Sequence, residues 1–551
     1  MYETILLTTV TDSELSVAPD DTILHCEAAN PSNSITKSRL RELSQQIAHG
    51  LREEYSVGAN APGKDVVTVI SYGQILVPAA LYGVIAAGGV YSAASPSSTL
   101  DELVRQITVG KSHLVICGSE HRDLAVKAAE KCGLPARNVL LLDSTKDAWS
   151  LKTVSNNTNI ITGACLQWPK ITDAQELKKS LIVILWSSGT TGLPKGVCLS
   201  HQNLVAETFL TGLSAREWAA AEMEKGTFVP KQHQTLAHLP ISHIAGLFGY
   251  MVAPICSGAT VIWMRKYAWD DLMKYLKQYT ITTWYTVPSI WLRISKSPEI
   301  QDRLKHLEGA VTGAAPMDGD LMQAVNRKVG DGKEKMIGQT WGLSETTGAV
   351  TAMPKGEVGD ESGCIGYILP GVELRMVDEQ FRDVDPEKEE GELLVRSPLV
   401  TQGYFDNPKA TEEAFHGEWF CSGDIAVRRN GKFYIVDRKK VGCEEMSLAV
   451  MALTDSPCRR SYSNTKASKS PPPSSKTCSS STHAFAKELS SVCRRQTILV
   501  QIYHGLMLSS RAREMETSAR KRSRSGLRIV WRRTSSSEVE WCLWMRYQRM
   551  Q

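Results

Sequence analysis

"ILWSSGTTGLPKGVCLSHQNL", residues 184–204, decides how the rest of this chain is read. The apolar run that begins at Leu181 ends in ten residues rich in Ser, Gly and Thr with one lysine (187–196), and a helix-like pattern follows Ser200. Ser is a residue type that caps helices. Adjacent backbone N–H groups freed by glycine, with hydroxyls beside them, form a concavity suited to phosphate oxygens, and a lysine adds a point charge. No register of G-x-x-x-x-G-K-[ST] fits, so the segment is not a Walker loop. The order of strand, loop and helix N-terminus predicts a phosphate-holding device rather than a bland surface loop.

The flanks supply the scaffold such a loop needs. "VVTVIS" (66–71) precedes "QILVPAALYGVIAAGG", "SHLVICG" precedes "DLAVKAAEKCG", and "NVLLLD" follows. Short apolar runs bounded by glycine and alternating with helical patterns predict an α/β domain on largely parallel, buried strands. The alternation returns as "TVIWM" (260–264), "WDDLMKYLKQY", "ITTWYTVP" and "LEGAVTG", which predicts a second sheet layer. Beyond residue 360, "GCIGYILPGVELRMVD", "GELLVRS" and "GKFYIVDR" read as short strands of a smaller, mainly β subdomain.

A chain of 551 residues exceeds one ordinary core. Its 42% hydrophobic and 22% charged content is that of a soluble globular protein, and no apolar run approaches the ~20 residues of a spanning helix. The start, "MYETILLTTVTDSELS", lacks a basic region and an apolar core, so it does not read as a signal peptide. Thirteen cysteines without a C-x-x-C pair or metal-ligand spacing predict reduced thiols and a cytoplasmic protein.

After Lys440 the pattern stops. Residues 441–551 hold 19 Lys and Arg against 8 Asp and Glu, 21 Ser, 3 Gly and a single Asp, in runs such as "SKSPPPSSK" and "SARKRSRSGLRIVWRR". Such a composition cannot bury enough surface to offset its ordering entropy, so a disordered tail is expected. A basic patch for nucleic acid is the weaker reading, because it rests on charge alone.

Five motifs in order carry a resemblance. The loop is similar to the phosphate-binding signature of the adenylate-forming enzymes: acyl-CoA synthetases, 4-coumarate-CoA ligases, luciferases and peptide synthetase adenylation domains. "VTGAAP" (311–316) resembles their adenine-binding turn and "QTWGLSETTG" (339–348) their aromatic-Gly-x-[ST]-Glu segment, while "CSGDIA" (421–426) and "YIVDRKK" (434–440) resemble the two ribose-binding motifs. The resemblance spans roughly residues 20 to 440.

It implies an α/β adenylation domain over 1–436, made of two α/β sheet subdomains and a small β subdomain, with a hinge at 437–440 opening on Asp437. The implied ATP site comprises Ser187, Ser188, Gly189, Thr190, Thr191, Gly192, Lys195, Gly313, Ala314, Ala315, Gln339, Thr340, Trp341, Gly342, Ser344, Asp424 and Arg438. Thr190, Thr191 and Lys195 would take the β- and γ-phosphates, Ser344 the α-phosphate, and Glu345 would hold Mg²⁺, a hard cation that prefers oxygen ligands. Trp341 stands where Tyr is more usual and would stack on adenine, and Asp424 and Arg438 would bond the ribose hydroxyls. His243 in "LPISHIAGLFGY" would lie beside the carboxylate, so His243, Lys195 and Glu345 are the implied catalytic residues. His243, Ile244, Phe248, Trp291, Gly313 and Ala314 would line an apolar or aromatic acyl pocket.

The implied reaction joins a carboxylic acid to ATP and passes the acyl group to CoA as co-substrate. Here the pattern also breaks: no Pro-Lys-x-x-x-Gly-Lys context occurs in 441–551, so the family's C-terminal small domain is missing or replaced by the tail. A frame change near residue 440 is the expectation. It leaves two alternatives to a working ligase: an impaired nucleotide-binding relative, and adenylation with transfer to a carrier protein. A peroxisomal address lost with the true C-terminus is the alternative to the cytoplasm.

Overall fold

A computed structural model describes residues 18–439, apart from 146–148, 169–170, 172, 188–192, 301–302, 330–336 and 355–362. The expectations on Lys440, on the tail and on Ser188, Gly189, Thr190, Thr191 and Gly192 lie outside the described residues.

Seven strands form the largest α/β layer, in the order Ser150–Thr153, Val139–Asp143, Leu114–Gly118, Val66–Ile70, Val90–Ala94, Leu181–Ser187 and Lys195–Ser200. The inner five run parallel and the two outer ones antiparallel. Val66–Ile70, Val90–Ala94 and Leu114–Gly118 are buried at every position. Helices cover both faces of such strands, which is why they read as continuous apolar runs rather than as alternation.

The second layer consists of two smaller sheets. Gln234–Ala237, Thr260–Trp263, Ile23–Glu27 and Ser34–Thr36 form one, and the parallel strands Thr283–Thr286, Gly309–Thr312 and Ile337–Gln339 form the other. Ile23–Glu27 pairs in parallel with Thr260–Trp263, His25 lying opposite Val261, so the described chain starts in the second layer before it builds the first. Sequence alternation, visible only from about residue 60, gives no sign of that pairing.

Helix Val77–Ala86 is buried at all ten positions, which a helix apolar on every side requires. Its Tyr82 hydroxyl donates to the Met251 carbonyl at 2.9 Å and ties it to the π-helical turn Leu247–Val252. The third part is an antiparallel sheet running Trp341–Leu343, Gly348–Ala352, Cys364–Ile368, Lys432–Arg438, Trp419–Arg429, Gly391–Arg396 and Glu373–Val377. Two α/β layers and a β subdomain are therefore present, as the sequence implies. Among the described residues no helix is long and apolar enough to cross a membrane.

One expectation on the decisive stretch fails. Ser187, Lys195 and Gly196, expected in the loop, belong to strands: Lys195–Ser200 runs antiparallel to Leu181–Ser187, with Ser187 opposite Lys195, and passes directly into the helix expected after Ser200. The following helix, His201–Glu224, is capped by Ser200, whose Oγ accepts from the Asn203 N–H at 3.3 Å while Asn203 Oδ1 accepts from the Ser200 N–H at 2.9 Å. Six strand residues at about 3.3 Å each put that helix N-terminus roughly 20 Å from the hairpin mouth. The helix dipole is therefore remote from the loop, and Lys195 is the charge beside it. Buried Gly196, Val197 and Leu199 pack the strand into the sheet, which is the physical reason the loop ends before Lys195.

Candidate functional site

Ser187 and Lys195 end the two strands of the hairpin and face each other in register. The Ser187 hydroxyl donates to Glu345 Oε1 at 3.1 Å, so the turn Ser344–Thr346 is brought to the hairpin mouth. Glu345 is buried, with 7% exposure. The Tyr404 phenol donates to the same oxygen at 3.0 Å, and the Lys195 ammonium lies 5.1 Å from the centre of the Tyr404 ring. Among the described residues Glu345 Oε2 accepts no hydrogen bond, and this hard carboxylate oxygen beside the loop fits a divalent cation. No group of three or more metal-ligating side chains occurs among the described residues.

A second constellation lies in the antiparallel sheet. Trp341 Nε1–H donates to Asp424 Oδ2 at 2.9 Å, and Arg438 Nε lies 3.4 Å from Asp424 Oδ1. Asp424 and Arg438 are register partners on neighbouring strands, which fixes their approach. Burial raises the Asp424 carboxyl above its ordinary value, while Arg438 and then the Trp341 N–H pull it back. Asp437, expected to open a hinge, sits within the strand Lys432–Arg438 opposite Ile425. The Lys439 ammonium donates to Glu392 Oε2 at 3.1 Å.

The turn after Gly309–Thr312 completes the arrangement. A Cβ on Gly313 would fall 2.8 Å from the Tyr285 hydroxyl and 3.1 Å from the Thr340 carbonyl oxygen. Ala314 adopts φ +67°, a left-handed conformation costing an L-residue roughly 1–2 kcal/mol, and is exposed with Ala315. Gln339 braces this turn through both ends of its amide: Met317 N–H donates to Oε1 at 3.2 Å, and Nε2 donates to the Met317 carbonyl at 3.2 Å. Thr340 Oγ1 is committed to the Thr351 carbonyl at 2.7 Å. Gly342 stands where two strands nearly touch, since a Cβ would lie 1.6 Å from the Gly348 carbonyl oxygen. Ser344 is half-buried at the start of its turn.

The expected acyl wall is placed less uniformly. His243 is exposed, and its Nδ1 accepts from the Ala245 N–H at 3.3 Å, so it caps the short helix Ile244–Gly246. Surrounding protein nevertheless lowers its pKa by desolvation, as for a side chain in the wall of a cleft. Ile244 is buried and Phe248 half-buried against the first core. Trp291 departs from the expectation: it is wholly buried in the second core, edge-on to Trp284 at 5.3 Å, and leaves no surface for a pocket.

Tyr404 was not legible as a site residue. It lies in "TQGYF" (401–405), which matches none of the five motifs, and only the tertiary pairing of that segment with Lys195–Ser200 brings it to Glu345.

The hairpin ends thus present Ser187 and Lys195, with Glu345 brought to them from the turn that follows Trp341. A family model described as AMP-binding enzyme matches residues 12–405. An Emericella nidulans protein carrying the name acyl-coenzyme A synthetase is 41% identical over 437 residues, 79% of this chain and 77% of that one. The phenylacetyl-CoA ligase epaB of Aspergillus niger is 28% identical over 76% of this chain and 75% of its own length. ATP-bound MatB from Rhodopseudomonas palustris shares the fold, with TM-score 0.64, 24% identity, and coverage of 80% of this chain and 79% of that one. The chain belongs to the AMP-binding enzyme family.

Proposed function

We propose that this protein is an ATP-dependent acid–CoA ligase, which activates an apolar or aromatic carboxylic acid as an acyl-adenylate and then forms a thioester with CoA. The observation that carries the reading is the meeting of Ser187, Lys195 and Glu345 at the hairpin mouth, joined through the segment Trp341–Glu345 to the group formed by Trp341, Asp424 and Arg438. The first group suits a triphosphate and its Mg²⁺, and the second suits a nucleoside. Cations and hydrogen-bond donors must neutralise two anions brought together, the acid and the α-phosphate, and a site walled from water strengthens them. His243, kept neutral by desolvation at neutral pH, would offer a hydrogen bond to the acid rather than a charge.

Relatives with acyl-CoA ligase names support the thioester step. A second reading has its own observation: residues 441–551 contain no Pro-Lys-x-x-x-Gly-Lys context. On that reading the protein binds ATP and turns over poorly, because the lysine that would reach the carboxylate and α-phosphate is missing. The test is ATP binding by calorimetry together with acid-dependent AMP and acyl-CoA formation by the full chain, over aryl, medium-chain and long-chain acids. Acyl-CoA from any of these establishes the ligase. ATP binding without AMP selects the second reading, and no ATP binding overturns both.

A further inference from the structure

We infer that Tyr404 is a positioning residue, which fixes the Glu345 carboxylate through Oε1 so that Oε2 alone is presented to a divalent cation. The inference rests on the nucleotide-site reading above and adds a residue to it. Two donors converge on one oxygen, the Ser187 hydroxyl at 3.1 Å and the Tyr404 phenol at 3.0 Å. They come from opposite directions in the chain, 158 residues before Glu345 and 59 after it. A carboxylate with one oxygen doubly engaged cannot rotate without breaking both bonds, so its other oxygen has a set direction.

The segment that carries Tyr404 is built to hold it there. Phe405 N–H donates to the Gly196 carbonyl at 2.7 Å, Cys198 N–H to the Gly403 carbonyl at 3.0 Å, and Thr401 Oγ1 to the Cys198 carbonyl at 2.6 Å. Residues 401–405 thus run along the strand that begins at Lys195. Thr401 N–H reaches the Glu345 carbonyl at 2.7 Å, so the same segment grips Glu345 by backbone and side chain. Gly403 makes this possible: it has φ +131°, and a Cβ there would lie 2.4 Å from Thr411 Cγ2. The Tyr404 N–H in turn donates to Thr411 Oγ1 at 2.9 Å. The face of the Tyr404 ring lies under the Lys195 ammonium, a cation–π contact that depends on the ring and not on the hydroxyl. One side chain therefore orients both the carboxylate and the lysine, by two separable atoms.

That separation supplies the test. Binding of ATP to the full-length protein is measured by calorimetry at stepped free Mg²⁺ concentrations and in EDTA, for the wild type, Tyr404→Phe and Tyr404→Leu. Tyr404→Phe keeps the ring and removes the bond to Glu345. The Mg²⁺ concentration giving half-maximal enhancement of ATP binding is expected to rise by about ten-fold, the size of a lost hydrogen bond to a charged group, with binding in EDTA unchanged. Tyr404→Leu should show the same Mg²⁺ shift and, having lost the platform for Lys195, weaker binding in EDTA as well. An unchanged Mg²⁺ dependence in Tyr404→Phe overturns the inference while the nucleotide site stands. Failure of the wild type to bind ATP under any condition overturns the site reading and the inference together. A purely structural role would lower the melting temperature of Tyr404→Phe and weaken ATP binding equally with and without Mg²⁺, and that result also overturns the inference.

Discussion

The indole N–H of Trp341 donates to Asp424 Oδ2 at 2.9 Å, across 83 residues of sequence. An aromatic platform at this position therefore also fixes the carboxylate expected to receive a ribose. Arg438 sits on the other oxygen, and between them the two donors hold down a pKa that burial pushes up. Trp341→Phe keeps a ring and loses the donor. ATP affinity should fall by about ten-fold, the usual size for a hydrogen bond to a charged acceptor. The pH profile gives a sharper check. Binding that needs ionised Asp424 is lost as pH falls through its pKa, which the Trp341 N–H holds down, so the acidic limb of the binding curve should move to higher pH in the variant.

Gly313 admits no side chain. A Cβ would press on the Tyr285 hydroxyl and the Thr340 carbonyl oxygen, and Thr340 N–H is already held by the Thr312 carbonyl at 3.0 Å. Gly313→Ala should therefore destabilise the fold by about 1–3 kcal/mol, the range for overpacking a filled site. ATP binding should weaken more than the melting temperature predicts, because the displaced turn carries Ala314 into the site. Chemical denaturation beside calorimetric titration separates the two effects.

Much of this architecture was written locally. Val66–Ile70 and Leu114–Gly118 announce themselves as buried strands by unbroken apolar runs, and "QTWGLSETTG" announces Trp341 and Glu345 by composition. What the sequence could not carry was contact between distant segments. The pairing of Ile23–Glu27 with Thr260–Trp263, and the path of residues 401–405 along Lys195–Ser200, depend on where the chain returns after long excursions. Periodicity reports the environment of a segment and says nothing of its neighbour. The loop was drawn through Gly196 because a lysine and a glycine carry no strand signal of their own, and only their pairing with Trp186 and Ser187 makes them strand; the helix cap at Ser200 was read correctly.

Trp291 illustrates the opposite error, in which an aromatic residue near a site was assigned to its wall. It is wholly enclosed in the second core and its indole N–H has no partner among the described residues, a cost that Phe would not bear. Trp291→Phe should leave the ranking of acid substrates unchanged while altering stability modestly, since lost volume opposes the relief of the unpaired donor. A change in the preferred acid on a panel of aryl and alkyl acids would return Trp291 to the pocket.

Glu207 offers a stability prediction with a definite sign. It lies on the helix His201–Glu224, is buried to 1% exposure, and accepts from the Ala349 N–H at 2.8 Å on Oε1, while Oε2 has no partner among the described residues. Gly348, at φ +129°, makes room for it, since a Cβ there would meet Glu207 Oε1 at 2.6 Å. Burial raises its pKa well above the ordinary value of 4.5, with the Ala349 bond pulling the other way. The folded protein thus holds a proton that the unfolded chain releases once pH passes about 4.5, so folding loses stability as pH climbs from there toward the raised value. Gln has nearly the same shape, accepts the same bond and cannot ionise. Glu207→Gln should match the wild type near pH 4 and melt at a higher temperature than the wild type at pH 7 to 8, by a few degrees. Melting curves across that range decide it: equal melting temperatures at pH 8 would mean that Glu207 is ionised in the fold and that its second oxygen has found a cation.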